Sequence, residues 1–167
     1  MEKKSGYASL TPYFREDGSL KREEILSMAF EQEYGWLKEC QYTLSFRELA
    51  REKWGCGNIT KISLTMDVAF TDDMASVPFT AFLPVGNSPC PVFLYLGFDS
   101  LFPGECVPVE EICDQGFGLV AFDYQDVAKD QDDQFAGTLE RMLVGPRSKN
   151  TAGKIRLWAE AASMIMN

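Results

Sequence analysis

CPVFLYLGFDSLFPGECVPVEEICDQGFGLVAFDYQDVAKDQDD, residues 90–133, decides the fold. Pro91–Leu96 is a continuous apolar run bounded by turn residues, the pattern of a buried strand. Gly97 breaks the run and opens a Gly/Pro-bearing loop. Pro108 and Glu110–Glu111 suit the first turn of a short helix, and Gly116 suits its stop. Phe117–Phe122 is a second apolar strand, and the acidic loop Asp123–Asp133 follows it. Strand, loop, helix and strand make a βαβ unit. Ligands of such units gather where the carboxyl ends of the strands open into loops. Gly97–Ser100 and Asp123–Asp126 are therefore where function is expected.

Upstream, Ile59–Phe70 alternates with Ile62, Leu64, Met66 and Val68 on one face, and Val77–Leu83 alternates likewise. The turn Thr71-Asp72-Asp73 between them predicts an antiparallel hairpin. Pro78 suggests an edge position or an irregular start. Before the hairpin, residues 1–18 read as an irregular arm. Leu26, Phe30, Tyr34 and Leu37 predict a helix within Leu20–Cys40, its stripe packed on the core and its end or bend at Gly35. Ser45-Phe46-Arg47-Glu48 has the form of a capping box, and predicts a short helix through Leu49, Ala50 and Trp54. Residues 1–58 are thus expected to form an arm with helices, and 59–167 the α/β body.

Downstream, Phe135, Leu139, Met142 and Leu143 have helical spacing, with Asp132 or Asp133 as cap and Gly145-Pro146 as stop. A last helix is expected from about Thr151, with Ile155, Trp158, Ala162 and Ile165 on one face and Trp158 packing it on the sheet.

The chain has 167 residues, 46% of them hydrophobic, enough for one domain with a core. Its net charge of −9 leaves no basic stripe for phosphates, which argues against nucleic acid. No apolar run approaches the roughly 18 residues of a membrane span. The start MEKKSGYASLTPYF lacks an apolar signal region, so a cytoplasmic location is expected. Cys40, Cys56, Cys90, Cys106 and Cys113 form no C-x-x-C pair and read as scattered reduced thiols. No metal site and no cofactor are expected. The acidic loop with Asp123, Asp126, Asp130, Asp132 and Asp133 lacks the D-x-D-x-D-G spacing of a calcium loop and reads as solvated.

Histidine is absent. A Ser–His–Asp or Cys–His pair cannot be assembled from this chain alone. Phosphate-loop, G-x-G-x-x-G and G-x-S-x-G motifs are absent too; Gly116-Phe117-Gly118 precedes a strand, whereas a dinucleotide fingerprint follows one.

The order of elements over about residues 60–167 resembles the N-terminal half of an α/β-hydrolase. More narrowly, it is similar to the acetyl xylan esterase and glucuronoyl esterase group of carbohydrate esterases. Pro91-Val-Phe-Leu-Tyr-Leu-Gly-Phe98 resembles that group's strand into its oxyanion loop. Residues 115–126, QGFGLVAFDYQD, resemble its RGYAVATFYYGDI segment, and residues 153–163, GKIRLWAEAAS, its WGTIGAWAWGLSR helix. The family's Asn- and Gly-rich loop is here Gly97-Phe98-Asp99-Ser100.

The resemblance implies an α/β fold: a partial hydrolase sheet, an antiparallel hairpin leading into a parallel βαβ unit, with an N-terminal helical extension. It implies that the serine elbow, the acid and the histidine follow Asn167 in the family order. Gly97 and Phe98 become oxyanion-loop candidates. Asp99, Tyr124 and Asp126 become candidates for the substrate side, with an ordinary loop contact as the competing reading. Ser100 has no base to activate it. The implied substrate is an acylated carbohydrate, bound only when the rest of the hydrolase completes the site. The alternative is a small non-catalytic α/β interaction module.

Overall fold

The computed structural model describes residues 14–15, 17, 19–86, 89–98, 107–131 and 135–167. Five strands form one mixed sheet: β1 (Thr43–Trp54), β2 (Ile59–Ala69), β3 (Met74–Pro84), β4 (Val92–Gly97) and β5 (Gly118–Asp123), in the order β1-β2-β3-β5-β4. β1, β2 and β3 are antiparallel neighbours; β5 runs antiparallel to β3 and parallel to β4. The expected hairpin and the parallel βαβ unit are both present. The helices are α1 (Arg22–Ala29), α2 (Val109–Asp114), α3 (Thr138–Val144) and α4 (Lys154–Ile165).

Helices cover both faces of the sheet. On one face α3 and α4 bury Leu139, Leu143, Leu157, Ala161 and Met164 against Met66, Val68, Val77 and Phe122. On the other, α2 closes a smaller cluster of Ile59, Phe82, Val109, Cys113 and Leu119. All six residues of β5 are buried, as a strand covered on both faces requires. α2 follows Pro108 and stops before Gly116, whose φ of +80° suits a turn where a side chain would be strained. No helix among the described residues is long and apolar enough to cross a membrane.

The structure corrects several expectations. Residues 43–54 are not a capped helix but β1, paired with β2 from Thr43↔Ala69 to Trp54↔Ile59. A bulge between Glu48 and Ala50 inserts one residue. That insertion converts strand alternation into the steps of three and four that mimic a helix. Cross-strand charge holds the pairing: Lys61 binds Glu52 at 2.9 Å, and Arg47 binds Asp67 at 2.6 Å. Asp67 is buried and also accepts from Ser76 Oγ at 2.6 Å, which ties β1, β2 and β3 together. The Arg47 and Ser76 hydrogen bonds hold its carboxyl below the ordinary value, against a smaller opposing effect of desolvation.

The N-terminal helix lies within the expected span and stops at Gly35. α1 continues into one π turn, Phe30–Tyr34, and ends at Gly35 with φ +75°. Its stripe is not core: Leu26 and Tyr34 stay exposed and α1 buries no residue, although Leu37 beyond it packs on the main cluster. The segment after it straps across the α3–α4 connection. Trp36 N–H donates to Asn150 O (2.8 Å), Ala152 N–H to Trp36 O (2.9 Å), and Lys38 N–H to Leu143 O (2.7 Å). Gly35 lies so close that a Cβ would overlap the Thr151 carbonyl.

β3 is an internal strand, not an edge, yet its ladder with β5 covers only Thr80–Phe82, so Pro78 has no β5 partner. β4, read as buried, is instead the last strand in the order and is only half-buried. Phe135 precedes α3 at φ +60°, and α3 begins after Gly137, whose N–H donates to the Glu140 carboxylate at 2.7 Å. The expected caps Asp132 and Asp133 lie outside the described residues. α4 faces the sheet with Leu157, Trp158, Ala161 and Met164, and the first residue of the expected stripe, Ile155, is 59% exposed.

Candidate functional site

The parallel pair β4–β5 sets the geometry. Gly97 and Asp123 are register partners at the carboxyl ends of these two strands. The chain leaves β4 through Phe98, which is 71% exposed, and leaves β5 through a single 3₁₀ turn, Tyr124–Asp126. Asp123 starts that turn: its Oδ1 accepts from Gln125 N–H at 2.8 Å, the local bond that makes Asp common at such positions.

Three rings connect the two strand ends to α4. Phe98 packs on Tyr124 with centroids 5.3 Å apart, and Tyr124 meets Trp158 edge-on at 4.9 Å. Such aromatic pairs add about 0.5–1.5 kcal/mol beyond area burial. Trp158 Nε1–H donates to Ala128 O at 2.8 Å, so the indole packs the helix on the sheet and also pins the loop after the 3₁₀ turn. Lys154, one turn earlier, donates to the carbonyls of Lys129 and Gln131 and pairs with the buried Glu140 at 3.5 Å. The loop after β5 is therefore held by α4 at both its start and its middle.

Beside Asp123 the sheet opens. The β3–β5 ladder stops at Thr80↔Ala121, short of Pro78, which has no N–H to donate. A cleft of about 270 Å³ fills the gap, lined among others by Ser63, Phe79, Thr80, Asp123 and Asp126. Asp126 stands at the rim. Shielding there pushes its carboxyl above the ordinary value, and the Asp123 carboxylate adds to the push. Asp123 Oδ2 is buried and meets no donor among the described residues.

Of the sequence-derived candidates, Gly97, Phe98 and Tyr124 come together at one end of the sheet, with Asp126 on the same 3₁₀ turn as Tyr124. Asp99 and Ser100 lie outside the described residues. Two partners were missed by reading the sequence. Helical spacing assigns Trp158 to packing alone, whereas its indole N–H also donates to the loop at Ala128. Pro78 reads as an edge signal, whereas it lines the cleft beside Asp123. Among the described residues no group of three or more His, Cys, Asp or Glu side chains is placed to hold a metal ion.

No protein-family model matches the chain, and no curated protein matches it in sequence. Solved structures do match. A glucuronoyl esterase from Solibacter usitatus superposes with a TM-score of 0.77 at 19% identity, over 96% of this chain and 53% of that one. A promiscuous CE15 esterase from a marine bacterial metagenome gives 0.72 at 16% identity, over 96% and 52%. A CE15 glucuronoyl esterase from Caldicellulosiruptor kristjansonii gives 0.64 at 24% identity, over 92% and 42%. The chain spans about half the length of these structures. Its fold is that of a partial α/β-hydrolase, as the resemblance in sequence implied.

Proposed function

We propose that this chain is the front portion of a serine carboxylic-ester hydrolase acting on an acylated carbohydrate, and that it is inactive by itself. One observation carries the proposal: 96% of the chain follows the fold of about half of a glucuronoyl esterase. In that frame Gly97 ends the strand that leads into the oxyanion loop. Backbone N–H groups at Gly97 and Phe98 would donate to the negative oxygen that forms as serine attacks the acyl carbon. Glycine lets the substrate approach the backbone closely. Preorganised donors of this kind stabilise a transition state by about 3–4 kcal/mol. Tyr124 and Asp126 belong to the substrate side of the same end, and Asp99 is assigned to that side by the resemblance alone.

With no histidine, neither serine activation nor protonation of the leaving group has an imidazole to perform it. The alternative reading is a small non-catalytic α/β interaction module.

Two measurements test the proposal. Purified chain is expected to hydrolyse 4-nitrophenyl acetate no faster than buffer; turnover that survives removal of contaminants would defeat the inactivity claim. The coding sequence beyond Asn167 is expected to supply a G-x-S-x-x-G elbow, then an acid and a histidine. A stop codon there, with a soluble and cooperatively folding product, would instead establish the interaction module.

A further inference from the structure

The cleft between β3 and β5 gathers polar side chains from one face of the sheet. Ser63 and Thr80 are register partners, and Thr80 is in turn the partner of Ala121. Side chains two residues apart on a strand share a face, so Asp123 follows Ala121 on the side of the two hydroxyls. Ser63, Thr80 and Asp123 line the cleft, together with Asp126 of the 3₁₀ turn and the apolar Leu49 and Pro78.

Asp123 is only 8% exposed. Its Oδ1 is taken by Gln125 N–H at 2.8 Å, and its Oδ2 is buried and meets no donor. Buried carboxylates are normally paired or fully hydrogen-bonded, because desolvation penalises the charge. Asp126 adds to the deficit. Shielding from water, and then the Asp123 charge, push its carboxyl above the ordinary value, so the two groups repel. No lysine or arginine lines the cleft among the described residues.

The cleft thus lacks donors that carry positive charge. A neutral sugar ring would bring donors without charge. A metal ion would bring charge to a place with no third acidic ligand among the described residues. A primary ammonium brings both: three N–H donors and one charge, on a stem that fits a cleft of about 270 Å³.

We propose that this cleft binds one primary ammonium group, with Asp123 Oδ2 as anchor, Asp126 as second carboxylate and a hydroxyl of Ser63 or Thr80 as third acceptor. The alkyl stem leaves along Leu49 and Pro78. Two sources carry such a group, a small free amine and the lysine side chain of a polypeptide. The site consists of this chain's residues alone. It goes beyond the esterase reading, and its failure would leave that reading where it stood.

The test is a titration of the whole chain followed by amide chemical shifts. n-Butylammonium is expected to bind saturably and to move the signals of Thr80, Asp123 and Gln125. Butyltrimethylammonium keeps the charge without an N–H, and 1-butanol keeps the stem without the charge. Both should bind at least about tenfold more weakly, equivalent to about 1.4 kcal/mol. Asp123→Asn keeps the acceptor for Gln125 N–H and should lose a similar factor, whereas Asp72→Asn on the β2–β3 turn should bind normally. Capped lysine, Nα-acetyl-lysine N-methylamide, separates the sources: binding equal to n-butylammonium identifies a lysine side chain, and tenfold weaker binding a free amine. The ligand comparisons on the unaltered chain stand even where Asp123→Asn fails to fold. Absent or unsaturable binding of n-butylammonium, equal binding of butyltrimethylammonium or 1-butanol, or full binding by a folded Asp123→Asn would overturn the proposal. So would xylose binding more tightly than n-butylammonium, since the missing donors would then be hydroxyls.

Discussion

The sheet has two edges of opposite character. β1 carries Arg47, Glu48, Arg51, Glu52 and Lys53 and a bulge, and every residue between Ser45 and Lys53 is exposed. β4 carries no charge and no bulge, and its side chains are half-buried by what lies beside them. The first edge is guarded by charge and a bulge, and the last described strand carries neither. Both strands are well paired on their inner sides, so the difference lies in what each presents outward. A guarded edge ends a sheet, and an unguarded one invites continuation.

The largest expected effect tests which core supports β4. Phe82 is fully buried in the small cluster with Val109, Cys113 and Leu119, under α2. Phe82→Ala should cost about 3–5 kcal/mol. Hydrogen exchange should then show α2 and β4 losing protection before β1. If β1 opens first, the two edges are not braced separately.

A smaller effect concerns association. At low ionic strength the net charge of −9 keeps copies apart; salt screens that repulsion and lets apolar edges meet. Sedimentation should show association that rises with salt and is suppressed by Phe93→Lys. Leu49→Lys, at a position equally open on β1, should change little. Equal suppression by both variants would erase the distinction between the edges.

The smallest effect sharpens the account of the guarded edge. Asp67 has a folded pKa held below its unfolded value by Arg47 and Ser76. Its contribution is complete above the ordinary carboxylate pKa and is lost as pH falls through the depressed folded value. Stability measured against pH should therefore fall on the acid side, and Arg47→Ala should flatten part of that fall. An unchanged acid limb in the variant would remove this ion pair from the account of how β1 is held.

The same contrast explains what could be read from the sequence. β3 was legible because Ala75, Val77, Phe79 and Ala81 alternate with less buried residues, and β2 because Ile62, Leu64, Met66 and Val68 share one apolar face, although Thr65 and Asp67 on the other face are buried too. β5 was legible because both its faces are covered, giving an unbroken apolar run. β4 shows the same kind of run although it lies at an edge; apolar composition reports what a strand is suited to contact, not where the described chain puts it. β1 was illegible because its stability is non-local. It depends on eleven-residue pairing with β2 and on ion pairs such as Arg47–Asp67, while its bulge disguises the local period. α4 was legible in part: Trp158, Ala162 and Ile165 of the expected stripe pack on the core, Ile155 does not, and the adjoining Leu157, Ala161 and Met164 are buried by packing that no local period records.

The candidate site was legible at the level of strand ends, because Gly97 and Asp123 terminate their runs visibly. The ring contacts from Phe98 through Tyr124 to Trp158 join residues far apart along the chain, and no local period records them.

Position 35 has a consequence for variation. Its left-handed backbone and the Thr151 carbonyl pressed against it leave room for a hydrogen and nothing larger. In a saturation library selected for folding, this codon should come back almost uncut by drift, while Gly57, equally left-handed but facing open space, should admit asparagine or aspartate.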